Sequence, residues 1–210
     1  TEFNLGNLCC ELTPAAASLW RKAVRHYRRA LRVRTEKLDP VHFAATAQNL
    51  ATAFRAMPAG DRLVNLRKAI RLYATAFRIY VAARLPAKCA DLHNNLGNLY
   101  LSLPSPPAAP CKNIRRALRH YARALESRTR SQHPGDYAVT QLNRGYGYLM
   151  LAACDATANL QPAARCFHEA LSAFLQCGDA AHAEIARHRL DSLAALTAGD
   201  GAPRAAPAPV

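Results

Sequence analysis

The residues with the clearest potential for binding are asparagines that recur along the chain. Asn4, Asn49, Asn95 and Asn143 open the short segments NLGNLC, NLATAF, NLGNLY and NRGYGY, at intervals of 45, 46 and 48 residues. An amide side chain has hydrogen-bond donors and acceptors, so a row of asparagines can pair with another protein's backbone without demanding one charge. Asn and Gly both lower helix propensity relative to Ala, so propensity does not explain their presence.

Arginines form a second recurrent set. Arg25, Arg71, Arg119 and Arg165 lie 46, 48 and 46 residues apart, and a row of guanidinium groups can bind phosphates with an affinity that falls with salt. We call the predicted set the basic ridge. Its members are Arg25, Arg29, Arg71, Arg119, Arg123 and Arg165. A solvated helix face rich in arginine is the alternative interpretation.

The charge of the 210-residue chain is unevenly distributed. The net charge is +14; residues 1–137 carry 23 Lys and Arg against 8 Asp and Glu, whereas residues 138–210 carry 5 against 6. A basic body of this kind favours acidic partners, nucleic acid or anionic surfaces. Half of the residues are apolar, and the abundance of Leu, Ala and Arg without long β-branched runs predicts an all-α protein.

The asparagine segments repeat every 45–48 residues, and a period of this length is typical of stacked repeats. A second motif follows each asparagine segment and aligns on Tyr27, Tyr73, Tyr121 and Phe167. Each aromatic residue is position i+4 of a pattern that has Ala at i and i+7 and an apolar residue at i+8. Residues at these spacings form one apolar stripe of a helix. Each repeat therefore has a helix A with the asparagine segment and a helix B with the stripe.

Prolines and asparagines mark the connections between these helices. A proline follows each of three B helices, where it is expected to end that helix before the chain begins the next one. These prolines are Pro40, Pro86 and Pro134. An asparagine precedes three B helices and is expected to cap them; these are Asn65, Asn113 and Asn159.

The segment around Gly97 predicts two different faces for helix A. Leu96 and Tyr100 are expected in the core, and Gly97 lets the helix approach its neighbour closely. Asn95 and Asn98 lie on the other side, which lines a groove in a curved array. Alternatively, such asparagines bond across neighbouring helices and hold the curvature.

At these residues the chain resembles the tetratricopeptide repeat (TPR) family. Helix A carries Leu-Gly and an aromatic, helix B carries Ala, an aromatic and Ala-Leu, and a proline follows. The resemblance implies a right-handed α-solenoid, and the long period is similar to a subtype found beside CHAT or signalling ATPase domains. In the fourth repeat, Arg144 replaces the expected core Leu, which predicts a distorted repeat or a solvent-facing position.

The predicted boundaries follow the repeats. Four repeats are expected at about 1–43, 44–89, 90–137 and 138–179, with a capping helix at 180–196 after a break at Gly178 and Asp179. Residues 197–210 form an Ala/Pro-rich tail that is expected to be disordered. We also expect the chain to be a fragment of a larger protein.

The resemblance implies that the A helices line a concave groove that binds a peptide or helix of a partner. The residues expected there are Asn7, Gln48, Asn49, Thr52, Asp91, Asn94, Asn95, Asn98, Asn143 and Tyr146. Clamps for a C-terminal carboxylate use Lys and Arg on these helices, and the central A helices offer only Arg55. We therefore predict no such clamp.

Catalysis is not predicted. The sequence has no HEXXH, G-x-S-x-G or phosphate-binding glycine loop, and no cofactor or metal is expected. Seven scattered cysteines without C-x-x-C predict reduced thiols in a cytoplasmic protein. The predicted function is a protein-interaction scaffold, with nucleic-acid association through the basic ridge as the alternative.

Overall fold

The structure is a computed structural model that describes residues 1–12, 17–154 and 159–197. All regular secondary structure in these ranges is helical. The helices are α1 (Glu2–Leu12), α2 (Ala17–Val33), α3 (Pro40–Ala56), α4 (Arg62–Ala82), α5 (Pro86–Ser102), α6 (Lys112–Leu125), α7 (Pro134–Cys154), α8 (Leu160–Gln176) and α9 (Ala180–Thr197). The chain divides into two compact units, Thr1–Asn95 and Leu96–Val210, which we describe separately.

The helices pack as successive A–B pairs within each unit. In the first unit α1 packs on α2, α2 on α3 and α3 on α4; in the second α6 packs on α7, α7 on α8 and α8 on α9. Helices α1, α3, α5 and α7 carry the asparagine segments, the even-numbered helices carry the Ala–aromatic–Ala stripe, and α9 follows as the last A helix, without an asparagine. The predicted all-α fold of helix-pair repeats is therefore confirmed.

Prolines begin the A helices instead of lying in linkers. Pro40, Pro86 and Pro134 are the first residues of α3, α5 and α7, where a missing N–H costs no intrahelical hydrogen bond. Asp39 caps α3 by accepting a hydrogen bond from the His42 backbone N–H. The helix pairs thus begin at residues 40, 86 and 134, a few residues before the predicted boundaries.

Two of the three predicted asparagine caps are wrong. Asp61 caps α4, and Asn65 lies inside that helix, where its Nδ2 donates to the Ala59 carbonyl at 3.0 Å. Asn113 similarly lies inside α6 and donates to the Pro104 carbonyl at 2.9 Å. Both amides fasten the preceding loop by donating to its carbonyls. Asn159 does occupy the N-cap position of α8, but its side chain makes no capping hydrogen bond to the first turn.

Glycines in the A helices make room for the aromatic rings of the B helices. The pairs are Gly6 with Tyr27, Gly97 with Tyr121 and Gly145 with Phe167. A Cβ atom would lie 2.5 Å from a ring carbon at Gly6 and Gly145, and still closer at Gly97. The expected close approach at Gly97 is therefore confirmed, and the ring of helix B is what approaches.

The fourth repeat is regular despite Arg144. Helix α7 runs without a break from Pro134 to Cys154. The Arg144 side chain is half-buried and its guanidinium lies 5.6 Å from the ring centroid of Tyr148. Stacking on the tyrosine accommodates the charge, so the predicted distortion is wrong.

The last helix begins where the sequence predicts. Gly178 has φ +76°, and the Asp179 carboxylate accepts a hydrogen bond from the backbone N–H of His182 at 3.1 Å. Helix α9 then extends to Thr197. The remainder of the predicted tail, residues 198–210, lies outside the described residues.

Two cysteines form a disulfide, contrary to the prediction of reduced thiols. Cys111 precedes α6 and Cys154 ends α7, and their Cα atoms are 6.3 Å apart. They are 43 residues apart in sequence, so only the packing of α6 against α7 brings them together. The other five cysteines are not disulfide-bonded.

Within the described ranges, no helix is both long and apolar enough to cross a membrane.

Candidate functional site

The helix B tyrosines are hydrogen-bonded to one repeat position of the A helices. Tyr27 donates to Asn7 Oδ1 at 2.7 Å, the hydroxyls of Tyr73 and Thr52 are 2.9 Å apart, and Tyr121 donates to Asn98 Oδ1 at 2.6 Å. In the fourth repeat helix B has Phe167, which has no hydroxyl. There Tyr146 takes the position of the asparagine and packs edge-on against the ring, with centroids 5.6 Å apart.

A second link joins consecutive A helices. In the first unit, Asn49 Nδ2 donates to Asn7 Oδ1 at 3.0 Å; in the second, Arg189 Nε donates to the Tyr146 hydroxyl at 3.2 Å. Asn49 and Arg189 occupy the same position relative to the start of their helices. At these positions the side chains bond across neighbouring helices, which is the alternative left open by the sequence.

Several residues predicted for the groove are buried. Asn98 and Asn143 are 1% and 0% exposed, and Asn94 and Tyr146 are also buried. Leu96 and Tyr100, expected in the core, are only half-buried. Asn98 and Tyr146 are buried because they face their own B helices, where they contact Tyr121 and Phe167.

Six predicted groove residues are only half-buried, and all belong to the first unit. Asn7 and Thr52 are already bonded to the helix B tyrosines. We call the other four the amide face: Gln48 and Asn49 on α3, and Asp91 and Asn95 on α5. The Tyr80 hydroxyl donates to Gln48 Oε1 at 3.2 Å. Burial raises the pKa of Tyr80 to about 12, and the negative charge of Asp91 adds to the rise.

The amides of Gln48 and Asn49 are held by one atom each. Gln48 uses Oε1 and Asn49 uses Nδ2 in the bonds described above. Among the described residues, Gln48 Nε2 and Asn49 Oδ1 have no hydrogen-bond partner. The arrangement therefore leaves one donor and one acceptor unused, each on an amide that an internal bond already orients.

The basic ridge is exposed along its whole predicted set. Its members in the first unit are Arg25, Arg29 and Arg71, and in the second Arg119, Arg123 and Arg165. Only Arg29 of this set has an ion pair among the described residues, with Glu2 at 3.6 Å. Glu2 also contacts His26 at 2.5 Å, and this hydrogen bond lowers the pKa of the carboxyl group.

Sequence reasoning missed a polar contact at the ends of the B helices. Arg34 Nη1 donates to Thr46 Oγ1 at 3.1 Å, and Arg128 Nη1 donates to Thr140 Oγ1 at 2.7 Å. The two pairs occupy equivalent positions, 94 residues apart. At the intervening repeat the same two positions hold Tyr80 and Leu92, both buried. The sequence does contain a signal, because the two Arg–Thr pairs have the same internal spacing. Aligning one repeat with the next hides it, since the repeat between them lacks the pair.

The geometry gives no support to a reactive centre in the described residues. They contain no group of three or more His, Cys, Asp and Glu side chains arranged to hold a metal ion. Burial raises the pKa of the Cys166 thiol to about 11, which keeps it protonated at neutral pH, the opposite of an activated nucleophile.

Comparison with known proteins places the fold. No protein-family model matches the sequence, and no curated protein does. Among solved structures, BtubC (BKLC) from P. vanneervenii is similar with a TM-score of 0.52 and 23% identity, covering 91% of this chain and 82% of that one. A Podosopora anserina protein with nearly identical TPR-like repeats of the kinesin light chain kind is similar with a TM-score of 0.53 and 14% identity, covering 93% and 94%. The chain therefore has the fold of TPR-like repeats.

Proposed function

We propose that the chain is a protein-interaction scaffold that binds an extended or helical segment of a partner along the amide face. One observation carries this proposal: Gln48 and Asn49 each use one amide atom in an internal bond and present the other. An unused donor and an unused acceptor suit the C=O and N–H groups of a peptide backbone.

The internal bonds make this surface ready to bind. Because Tyr80 and Asn7 already hold the two amides, the side chains lose little rotamer freedom when a ligand arrives, which lowers the entropic cost of association. Asp91 and Asn95 extend the polar surface onto α5. The carboxylate of Asp91 favours a partner segment with a cationic side chain at that end, although Lys88 lies 3.7 Å from it.

The resemblance to long-repeat TPR arrays extends the proposal to the role of a module in a larger regulatory protein. This extension is supported by the resemblance alone, whereas the amide face is supported by its geometry.

The test uses a displayed library of random peptides selected on the full chain. Gln48→Glu keeps the oxygen that accepts from Tyr80, removes the Nε2 donor and adds a negative charge. We expect the selected peptides to bind this variant about tenfold more weakly, as befits the loss of a hydrogen bond to a desolvated partner. Gln161→Glu makes the same chemical change at an exposed position of α8 and should leave binding unchanged.

Equal binding of the selected peptides to wild type and Gln48→Glu would show that the amide face is not the site. Nucleic-acid association through the basic ridge predicts a different result, a loss on Arg71→Glu plus Arg119→Glu that depends strongly on salt.

A further inference from the structure

A cleft of about 510 Å³ lies beside α2 in the first unit. We call it the arginine cleft. Its lining residues are Arg21, Val24, Arg25, Arg28, Arg29, Arg32 and Met57. The five arginines fall at positions i, i+4, i+7, i+8 and i+11 of one helix, so they share a face. At about 1.5 Å per residue the row is about 16 Å long.

The bottom of the cleft is apolar. Val24 and Met57 are 7% and 9% exposed. Near them, the ring of Phe54 has the Arg28 guanidinium 5.6 Å and the Lys68 ammonium 5.3 Å from its centroid. Because Arg28 belongs to α2 and Lys68 to α4, cations flank this ring from two helices.

The positive charge of the cleft has little internal compensation. Helix α2 contains six basic residues and no acidic one. Among the described residues only Arg29 of the five has a carboxylate partner, Glu2 at 3.6 Å. Elsewhere exposed arginines do find partners, as Arg78 does with Glu36 at 2.6 Å. Neighbouring guanidinium groups in one row repel each other, so an anion bound along the row would be stabilised.

We infer that the arginine cleft binds a carboxylate-rich segment of a partner protein, with one aliphatic side chain placed against Val24 and Met57. The planar fork of arginine pairs with a carboxylate through two hydrogen bonds. Steps of three and four residues along α2 match the spacing of carboxylates three and four apart on a second helix.

The lining favours such a segment over single-stranded nucleic acid. Bases bind to protein surfaces largely by stacking on aromatic rings. No aromatic residue lines the cleft, and Phe54 beside it is buried and flanked by Arg28 and Lys68. This site is separate from the amide face, and its occupation does not depend on the function proposed above.

The test measures binding of a fluorescently labelled oligoglutamate of about 12 residues, long enough to span the row as a helix, with one central leucine. The full chain is compared with Arg25→Glu plus Arg28→Glu. The matched control is Arg119→Glu plus Arg123→Glu, which makes the same change in net charge at exposed positions of α6. We expect affinity to fall about tenfold or more in the cleft variant and less than about twofold in the control.

Three further measurements complete the design. Arg21→Gln plus Arg32→Gln, at the ends of the row, should weaken binding without reversing charge. This pair replaces the first variant if circular dichroism shows that the first variant is unfolded. Replacing the leucine of the probe with serine should weaken binding severalfold. Gln48→Glu should bind the probe as the wild type does, which separates this site from the amide face.

Two outcomes would overturn the inference. Equal loss in the cleft variant and the α6 control would mean that the probe senses only net charge. Tighter binding of a single-stranded oligouridylate than of oligoglutamate, at matched charge and about 0.15 M salt, would identify the row as a phosphate-binding surface.

Discussion

Tyr121 donates a hydrogen bond to Asn98 Oδ1 across 2.6 Å, and both side chains are buried. Asn98, which the sequence predicts to bind a partner, thus accepts a hydrogen bond within its own repeat. Asn7 and Tyr27 repeat the relationship in the first unit. At this position of the A helices a polar side chain, Asn7, Thr52 or Asn98, is present wherever the B helix has a tyrosine.

Replacing Asn98 with alanine should lower the free energy of unfolding by about 1–3 kcal/mol, because a buried hydroxyl loses its acceptor. Tyr121→Phe should remove the same bond, so the double variant should cost less than the sum of the single ones by about 1 kcal/mol. Urea unfolding of the four proteins measures this difference. Strict additivity would contradict the structural role of the bond.

The glycine at position 97 should be intolerant of any side chain. A Cβ there would overlap the ring of Tyr121, so we expect Gly97→Ala to lower the free energy of unfolding by about 1–3 kcal/mol, the usual cost of overpacking. Gly135, also helical, has no atom within 4 Å of its Cβ position. Gly135→Ala should therefore leave stability unchanged or raise it by up to about 1 kcal/mol. Equal thermal shifts for the two variants would refute the packing argument.

The disulfide between Cys111 and Cys154 should stabilise the second unit. Closing a loop of 43 residues lowers the entropy of the unfolded chain. In the chain-entropy model this raises the free energy of unfolding by about 4 kcal/mol. We expect a reductant to lower the Tm of the wild type and not that of Cys111→Ala. Cys177→Ser, at a free exposed cysteine, should keep the sensitivity to reductant. Detection of free thiols at both positions by mass spectrometry without reductant would contradict the bond.

The cap of α9 should make the stability of that helix depend on pH. The backbone hydrogen bond from His182 lowers the pKa of the Asp179 carboxyl group below 3.8. A lowered pKa in the folded chain means stabilisation above the unfolded value, lost as pH falls through the folded value. Hydrogen exchange of α9 amides should therefore accelerate below about pH 4 in the wild type, beyond the intrinsic chemical rate. Asp179→Ala should remove that step, whereas Asp191→Ala, an exposed substitution in the same helix, should retain it.

The helices were predictable because local rules decide them. The stripe around Tyr73 and the proline at position 86 each fix an element without knowledge of its neighbours. The accessible surface was not predictable in the same way, because an amide such as that of Asn98 can serve a ligand or a hydroxyl of the next helix equally well. Only the packing of α5 and α6 against each other decides between them. The link between Cys111 and Cys154 likewise depends on contacts between separate helices, so spacing alone conceals it.

Four similar helix pairs could join in the wrong order during folding. The positions at the end of each B helix and in the following A helix oppose this, because their residues alternate along the chain: Arg34 with Thr46, Tyr80 with Leu92, and Arg128 with Thr140. A misassembled chain that set Arg34 against Leu92 would bury a guanidinium beside an aliphatic group, at a cost of several kcal/mol for an unpaired charge. Setting Tyr80 against Thr46 would in turn deny Arg34 its hydroxyl acceptor. Adjacent joints are therefore chemically incompatible with one another, whereas the two Arg–Thr joints, which are not adjacent, share one chemistry.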